Sequence, residues 1–126
     1  MAASVVLVVD DNPMNLKLVR FVLKRAGFDV HEAVDAEQAL AVLREMVPAV
    51  ILVDLQLPGM DGLELTRRIK ADARTRDVPV VAVTAFAMKG DEERATRAGC
   101  DAYVTKPIDT NALPALVAGF AARAAS

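Results

Sequence analysis

Short, unbroken runs of β-branched and aliphatic residues recur along the chain: VVLVV from Val5 to Val9, AVILV from Ala49 to Val53, VPVVAV from Val78 to Val83, and a shorter AYV from Ala102 to Val104. Runs of this length with no polar alternation read as strands covered on both faces, the condition of a parallel sheet sandwiched between helices. Phe28 to Ala33 alternates weakly and reads as one more strand.

The segments between these runs carry helical spacing. Asn12 can cap a first helix with Pro13 at its first position, Leu16, Val19, Leu23 and Ala26 on one stripe and Gly27 as its stop. The stretch from Asp35 to Gln38 resembles a capping box, opening a helix whose Leu40, Leu43 and Val47 face inward before Pro48 ends it. A third helix follows Gly62, with Leu65 and Ile69 inward. A fourth is expected from Met88 to Ala98, stopped by Gly99. The last carries Leu113, Leu116, Val117 and Phe120, and Pro114 requires it to start near Asn111, where a missing amide hydrogen has no helical partner. A strand-then-helix order repeated five times predicts an α/β, doubly wound, five-stranded parallel sheet with five helices.

At 126 residues, 54% of them apolar, the chain fits a single domain over 1–126 with a real core and no effector domain. A formal net charge of −2 and no concentrated basic run argue against nucleic acid as a partner. The run Val5 to Val9 is too short for a signal core or a span, so neither export nor membrane insertion is expected. The lone cysteine, Cys100, leaves no internal disulfide and suits a cytoplasmic chain in which it packs as a small residue.

In open parallel sheets the functional crevice lies at the carboxyl ends of the strands. There the first strand delivers Asp10 and Asp11, the third Asp54, the fourth Thr84 and the fifth Thr105 and Lys106. Carboxylates about 4 Å apart repel by roughly 4 kcal/mol per pair at an effective dielectric of about 20, so three of them call for protons or a cation. Mg²⁺ is the natural choice, a hard ion usually held by one or two carboxylates together with phosphate oxygens. Beside such an ion Asp54 can act as a nucleophile toward a phosphoryl group, with Lys106 and Thr84 stabilising the product. Any one of these residues alone is an ordinary cap or turn residue; their joint placement points to a site.

The stretches VVDDNPMN, ILVDLQLPGMDG, VAVTAFA and YVTKPI resemble the response-regulator receiver domain over essentially the whole chain. The resemblance implies a flavodoxin-like strand order 2-1-3-4-5, with Asp54 as phosphoacceptor, Asp11 as a direct magnesium ligand, Asp10 as a ligand largely through water and the main-chain carbonyl of Gln56 as a further ligand. It implies that Thr84 and Lys106 contact the phosphoryl group, that Tyr103 is the switch aromatic, and that the bond before Pro107 is cis, a geometry accessible mainly before proline. The stretch VPVVAVTAFAMKGDEERATRAGCDAYVTKPI further resembles single-domain cell-division regulators of the DivK type, implying a two-component phosphorelay. Its expected partners are a sensor histidine kinase or histidine phosphotransfer protein upstream and a kinase or adaptor protein downstream.

The only histidine, His31, falls on the second strand away from the site, so the phosphoryl donor is another protein or a small acyl phosphate. Gln56 and Phe86 stand two residues past Asp54 and Thr84, positions that in the family flank the route of attacking water, and Phe86 is expected to slow dephosphorylation by crowding it. Ala87, Met88, Tyr103 and Val104 are expected to line a partner patch. Two other readings compete. A haloacid-dehalogenase-like phosphatase or phosphotransferase uses a similar residue set, but resembles its relatives in a second acid two residues after the nucleophile, where this chain has Gln56. A pseudo-receiver working without phosphorylation leaves the complete acidic and Thr/Lys set without a purpose.

Overall fold

The computed structural model describes residues 4–85 and 90–125. Five strands, β1 (Val5–Val9), β2 (Asp29–Ala33), β3 (Val50–Asp54), β4 (Val80–Thr84) and β5 (Ala102–Thr105), alternate with α1 (Pro13–Arg25), α2 (Ala36–Glu45), α3 (Gly62–Ala71), α4 (Asp91–Ala98) and α5 (Ala112–Ala125). The sheet order is β2-β1-β3-β4-β5 and every pairing is parallel, the flavodoxin-like arrangement. The three central strands are the apolar runs read from the sequence. Strand periodicity sorts their side chains into two layers. Leu7, Val9, Ile51, Val53, Val80 and Ala82 pack under α2, α3 and α4, while Val6, Val8, Val50, Leu52 and Val81 pack under α1 and α5. Each such aliphatic side chain, removed from water, contributes roughly 1.5–3 kcal/mol.

Helix starts follow the capping chemistry. The Asn12 side chain accepts from the amides of Met14 and Asn15 at 2.9 and 3.3 Å, and Asp35 and Asp61 each accept from the amide three residues on at 2.8 Å. Gln38 completes its box one residue early, accepting from the amide of Val34 at 3.1 Å. Two expected core positions are corrected. Val47 is 48% exposed, because α2 stops at Glu45 and Met46 is already extended (φ −157°, ψ 158°), ahead of the residue that Pro48 restricts. Ala26 is exposed at the C-cap of α1, where the stripe turns away from the sheet before Gly27 takes a positive φ of 98°. The expected start of α4 at Met88 lies outside the described residues.

The carboxyl edge of the sheet is extended by main-chain bonds that aim the next residues into one crevice. The amides of Asp10, Leu55 and Lys106 donate to Ala33, Val83 and Thr84 carbonyls at 3.0, 2.9 and 2.7 Å. At the opposite edge the Lys70 ammonium donates to the carbonyls of Arg76 and Val78 and to Asp101 Oδ2 at 3.2, 2.7 and 3.1 Å. The same Asp101 oxygen accepts from the amide of Val80, so one lysine ties the end of α3 to the starts of β4 and β5.

Candidate phosphoacceptor and metal site

Asp10 and Asp54 end adjacent strands and are nearly sealed, at 5% and 4% exposure, while Asp11 one residue on is exposed. Their orientation is fixed from the backbone: Asp10 Oδ1 accepts from the Asn12 amide and Asp54 Oδ1 from the Gln56 amide, both at 2.9 Å. Lys106 bridges the two remaining oxygens, its Nζ lying 3.0 Å from Asp54 Oδ2 and 3.1 Å from Asp10 Oδ2. The bond from Lys106 to Pro107 is cis.

One cation facing two buried anions, with a third close by, leaves the charge unbalanced. Burial, and then the neighbouring Asp54 charge, push the Asp10 carboxyl above its ordinary range, against the pull of the Asn12 amide and of Lys106. Burial alone would lower Lys106, but its hydrogen bonds to Asp54 and Asp10 outweigh this and raise it, so it stays an ammonium. One oxygen from each of Asp10, Asp11 and Asp54 lies within 4.8 Å of the others. An all-oxygen, excess-negative cluster of this size fits a hard divalent cation such as Mg²⁺.

Thr84 is fully buried at the end of β4. Its hydroxyl accepts from Gln56 Nε2 at 2.7 Å and donates to Gln56 Oε1 at 3.0 Å. The Gln56 side chain thus engages the Thr84 hydroxyl, a pairing that no local spacing signals because the partners stand 28 residues apart. Gly62 likewise reads from the sequence only as a helix start. A Cβ there would lie 2.5 Å from the Asp54 carbonyl oxygen and 2.8 Å from Leu55 Cα, so glycine is what lets α3 pack against the loop leaving Asp54.

Tyr103 packs on the α2–α4 side, and its buried hydroxyl has no hydrogen-bond partner among the described residues. Val104 packs on the α1–α5 side. Strand alternation therefore sets these two on opposite faces of the edge strand β5. Phe86, Ala87 and Met88 lie outside the described residues. His31 sits on the edge strand β2, 3.5 Å from Asp29, away from the crevice.

Residues 6–118 match the response regulator receiver domain family. This chain belongs to that family. As a receiver domain it is a two-component signalling module, and it is 48% identical over 103 residues to the polar-differentiation response regulator DivK of Brucella ovis, covering 82% of this chain and 84% of that one. Solved receivers superpose closely. The receiver domain of a sensor histidine kinase from Pseudomonas aeruginosa PAO1, described with magnesium coordinated in its active site cleft, shares 33% identity at a TM-score of 0.88, covering 96% of this chain and 99% of that one. The signal receiver domain of a histidine kinase from Syntrophus aciditrophicus shares 26% identity at 0.89, covering 96% and 92%. The membrane is not spanned by any described helix, none being long and apolar enough.

Proposed function

We propose that this receiver is a cytoplasmic response regulator that accepts a phosphoryl group on Asp54 from a histidine kinase or histidine phosphotransfer protein. The observation that carries the reading is the Lys106 ammonium held between Asp54 and Asp10, with Thr84 ending the strand next to that of Asp54. In the reaction a carboxylate oxygen of Asp54 attacks phosphorus, a phosphorus–oxygen bond forms, and the bond to the donor's imidazole nitrogen breaks. The donor keeps its electron pair. Lys106, already an ammonium within reach of Asp54, balances charge that gathers on the phosphoryl oxygens. Asp10, Asp11, Asp54 and the Gln56 carbonyl would hold Mg²⁺, which when bound relieves carboxylate repulsion and adds positive charge beside the phosphoryl group. The domain thus catalyses its own modification and its reversal.

Output is read as a population shift. Thr84 bonded to Gln56 represents one state. An acyl phosphate offers Thr84 and Lys106 stronger, charge-assisted bonds, biasing the domain toward a state in which Thr84 leaves Gln56, with Tyr103 moving to follow. Partner contact near Tyr103 then distinguishes the states, toward a downstream kinase or adaptor. The DivK relatives support a role in cell-division control. The haloacid-dehalogenase alternative is disfavoured by Gln56, whose amide side chain is engaged by Thr84 and supplies no second acid.

The test is intact-mass spectrometry after incubation with acetyl phosphate, with and without Mg²⁺, on the native chain and Asp54→Asn. One metal-dependent phosphoryl adduct, absent in the variant, is expected. Steady phosphate release with no adduct would instead favour the enzyme reading.

A further inference from the structure

A cavity of about 310 Å³ opens between the C-terminal halves of α2 and α3 and the turn that follows α3. Its buried lining is Leu43, Ile69 and Thr75, with Leu40 partly buried beside them. Its exposed rim carries three cations, Arg44, Arg68 and Arg74, against one acid, Asp72, in a chain whose formal net charge is −2. A cation in the last turn of a helix complements the helix C-terminus, and that accounts for Arg44 and Arg68. Arg74 stands outside any helix, and the same reason does not reach it.

The backbone of the rim is held in place while its charged groups are left uncommitted. Asp72 Oδ1 accepts from the Arg74 amide at 2.9 Å, and the Asp72 carbonyl accepts from the amides of Thr75 and Arg76 at 3.1 and 2.8 Å. Beneath them the Thr75 hydroxyl donates to the Ile69 carbonyl at 2.7 Å, tying the turn to α3. Arg68 shares Glu64 with Arg67, at 3.4 and 3.3 Å. The guanidinium groups of Arg44 and Arg74, and the Oδ2 atom of Asp72, have no hydrogen bond or ion pair among the described residues.

Planar guanidinium forks match phosphate oxygens in geometry and charge. An aliphatic lining offers such an anion nothing, and suits a flat, weakly polar body attached to it. The volume agrees, falling at the small end of the roughly 300–1,000 Å³ range of organic-ligand sites. We infer that this cavity binds a guanine nucleotide, with its phosphates among Arg44, Arg68 and Arg74, its base on Leu40 and Leu43, and the base's N–H donors on Asp72. An ionised carboxylate can only accept. Guanine turns two adjacent N–H donors toward it, whereas adenine places a ring acceptor beside its amino group. The cavity adjoins the end of α3, at the sheet edge opposite Asp54, and the inference does not rest on the aspartyl-phosphate reading.

The test is calorimetric titration of the native chain with GDP, ADP, guanosine and pyrophosphate, in EDTA so that no metal at the acidic cluster recruits phosphate. GDP is expected to bind one to one and about tenfold more tightly than each of the other three. Arg44→Gln and Arg74→Gln should each weaken GDP about tenfold. Asp72→Asn keeps an oxygen for the Arg74 amide and should abolish the preference for GDP over ADP, while Asp54→Asn should bind GDP as the native chain does. Labelling of the arginine and Asp72 variants by acetyl phosphate confirms their fold and should be unchanged. Absence of GDP binding, equal binding of GDP and pyrophosphate or of GDP and ADP, or loss of GDP binding in Asp54→Asn overturns the inference. So does a hexaglutamate peptide that binds as tightly as GDP and is weakened by the same arginine variants, which would give the cavity to an acidic protein segment.

Discussion

Asp10 is the residue in which the cost of the site is concentrated. Its carboxyl is pushed up by burial and by Asp54, so the folded chain holds a proton there at pH values where the unfolded chain has released it. Folding is therefore disfavoured progressively as pH rises through that interval. In metal-free buffer Asp10→Asn should be more stable than the native chain, with a difference that is absent in acid, grows as pH climbs above the ordinary aspartate range and then levels off. Denaturant unfolding across a pH series in EDTA measures this. Lys106 has the opposite sign. Its folded value is raised, so its contribution is complete below the ordinary lysine range and is lost only in stronger alkali. Lys106→Met leaves two nearly sealed carboxylates without their cation and should cost roughly 3 kcal/mol at neutral pH, read from the same unfolding curves. Both acids and the lysine were legible as strand-end residues. The hold of Gln56 on Thr84 was not, because no local spacing rule links residues brought together by two neighbouring strands.

At the level of elements, the sequence declared its strands and most of its helix starts. Unbroken aliphatic runs marked β1, β3 and β4, and Asn12 and Asp35 cap where their chemistry said they would. Helix ends were less readable. Pro48 marks a stop for α2 in the sequence, but extended backbone at Met46 ends it earlier and turns Val47 to solvent. Replacing Val47 with threonine should consequently change stability by less than about 0.5 kcal/mol, whereas the same change at Leu43 should cost several times more by thermal unfolding. The contact between α3 and β3 was invisible for another reason: a glycine at a helix start looks the same whether or not backbone crowds it. Gly62→Ala must push α3 off the Asp54 carbonyl and should cost about 2 kcal/mol. It should also slow labelling by acetyl phosphate, a pairing of effects that a stability change alone would not produce.

For the whole molecule, the acidic cluster predicts linkage between ion and fold. At a concentration one hundred times its dissociation constant, Mg²⁺ should stabilise the native chain by about 2.7 kcal/mol, seen as a rise of several degrees in Tm. Asp11→Ala should blunt the rise while leaving metal-free stability nearly unchanged, since Asp11 is exposed. The doubly wound α/β reading followed from alternation alone, but the strand order came only through resemblance, because periodicity says which segments are strands and not which are neighbours. The Lys106 bridge has a consequence in time. Its two carboxylates belong to the first and third strands, while the ammonium that joins them is borne just past the fifth. During synthesis the acids emerge from the ribosome well before their counter-charge, and a nascent chain lacking β5 presents them unneutralised. The acidic centre is thus the last part of the sheet to be completed, since it lacks its bridging cation until the residue after β5 is in place.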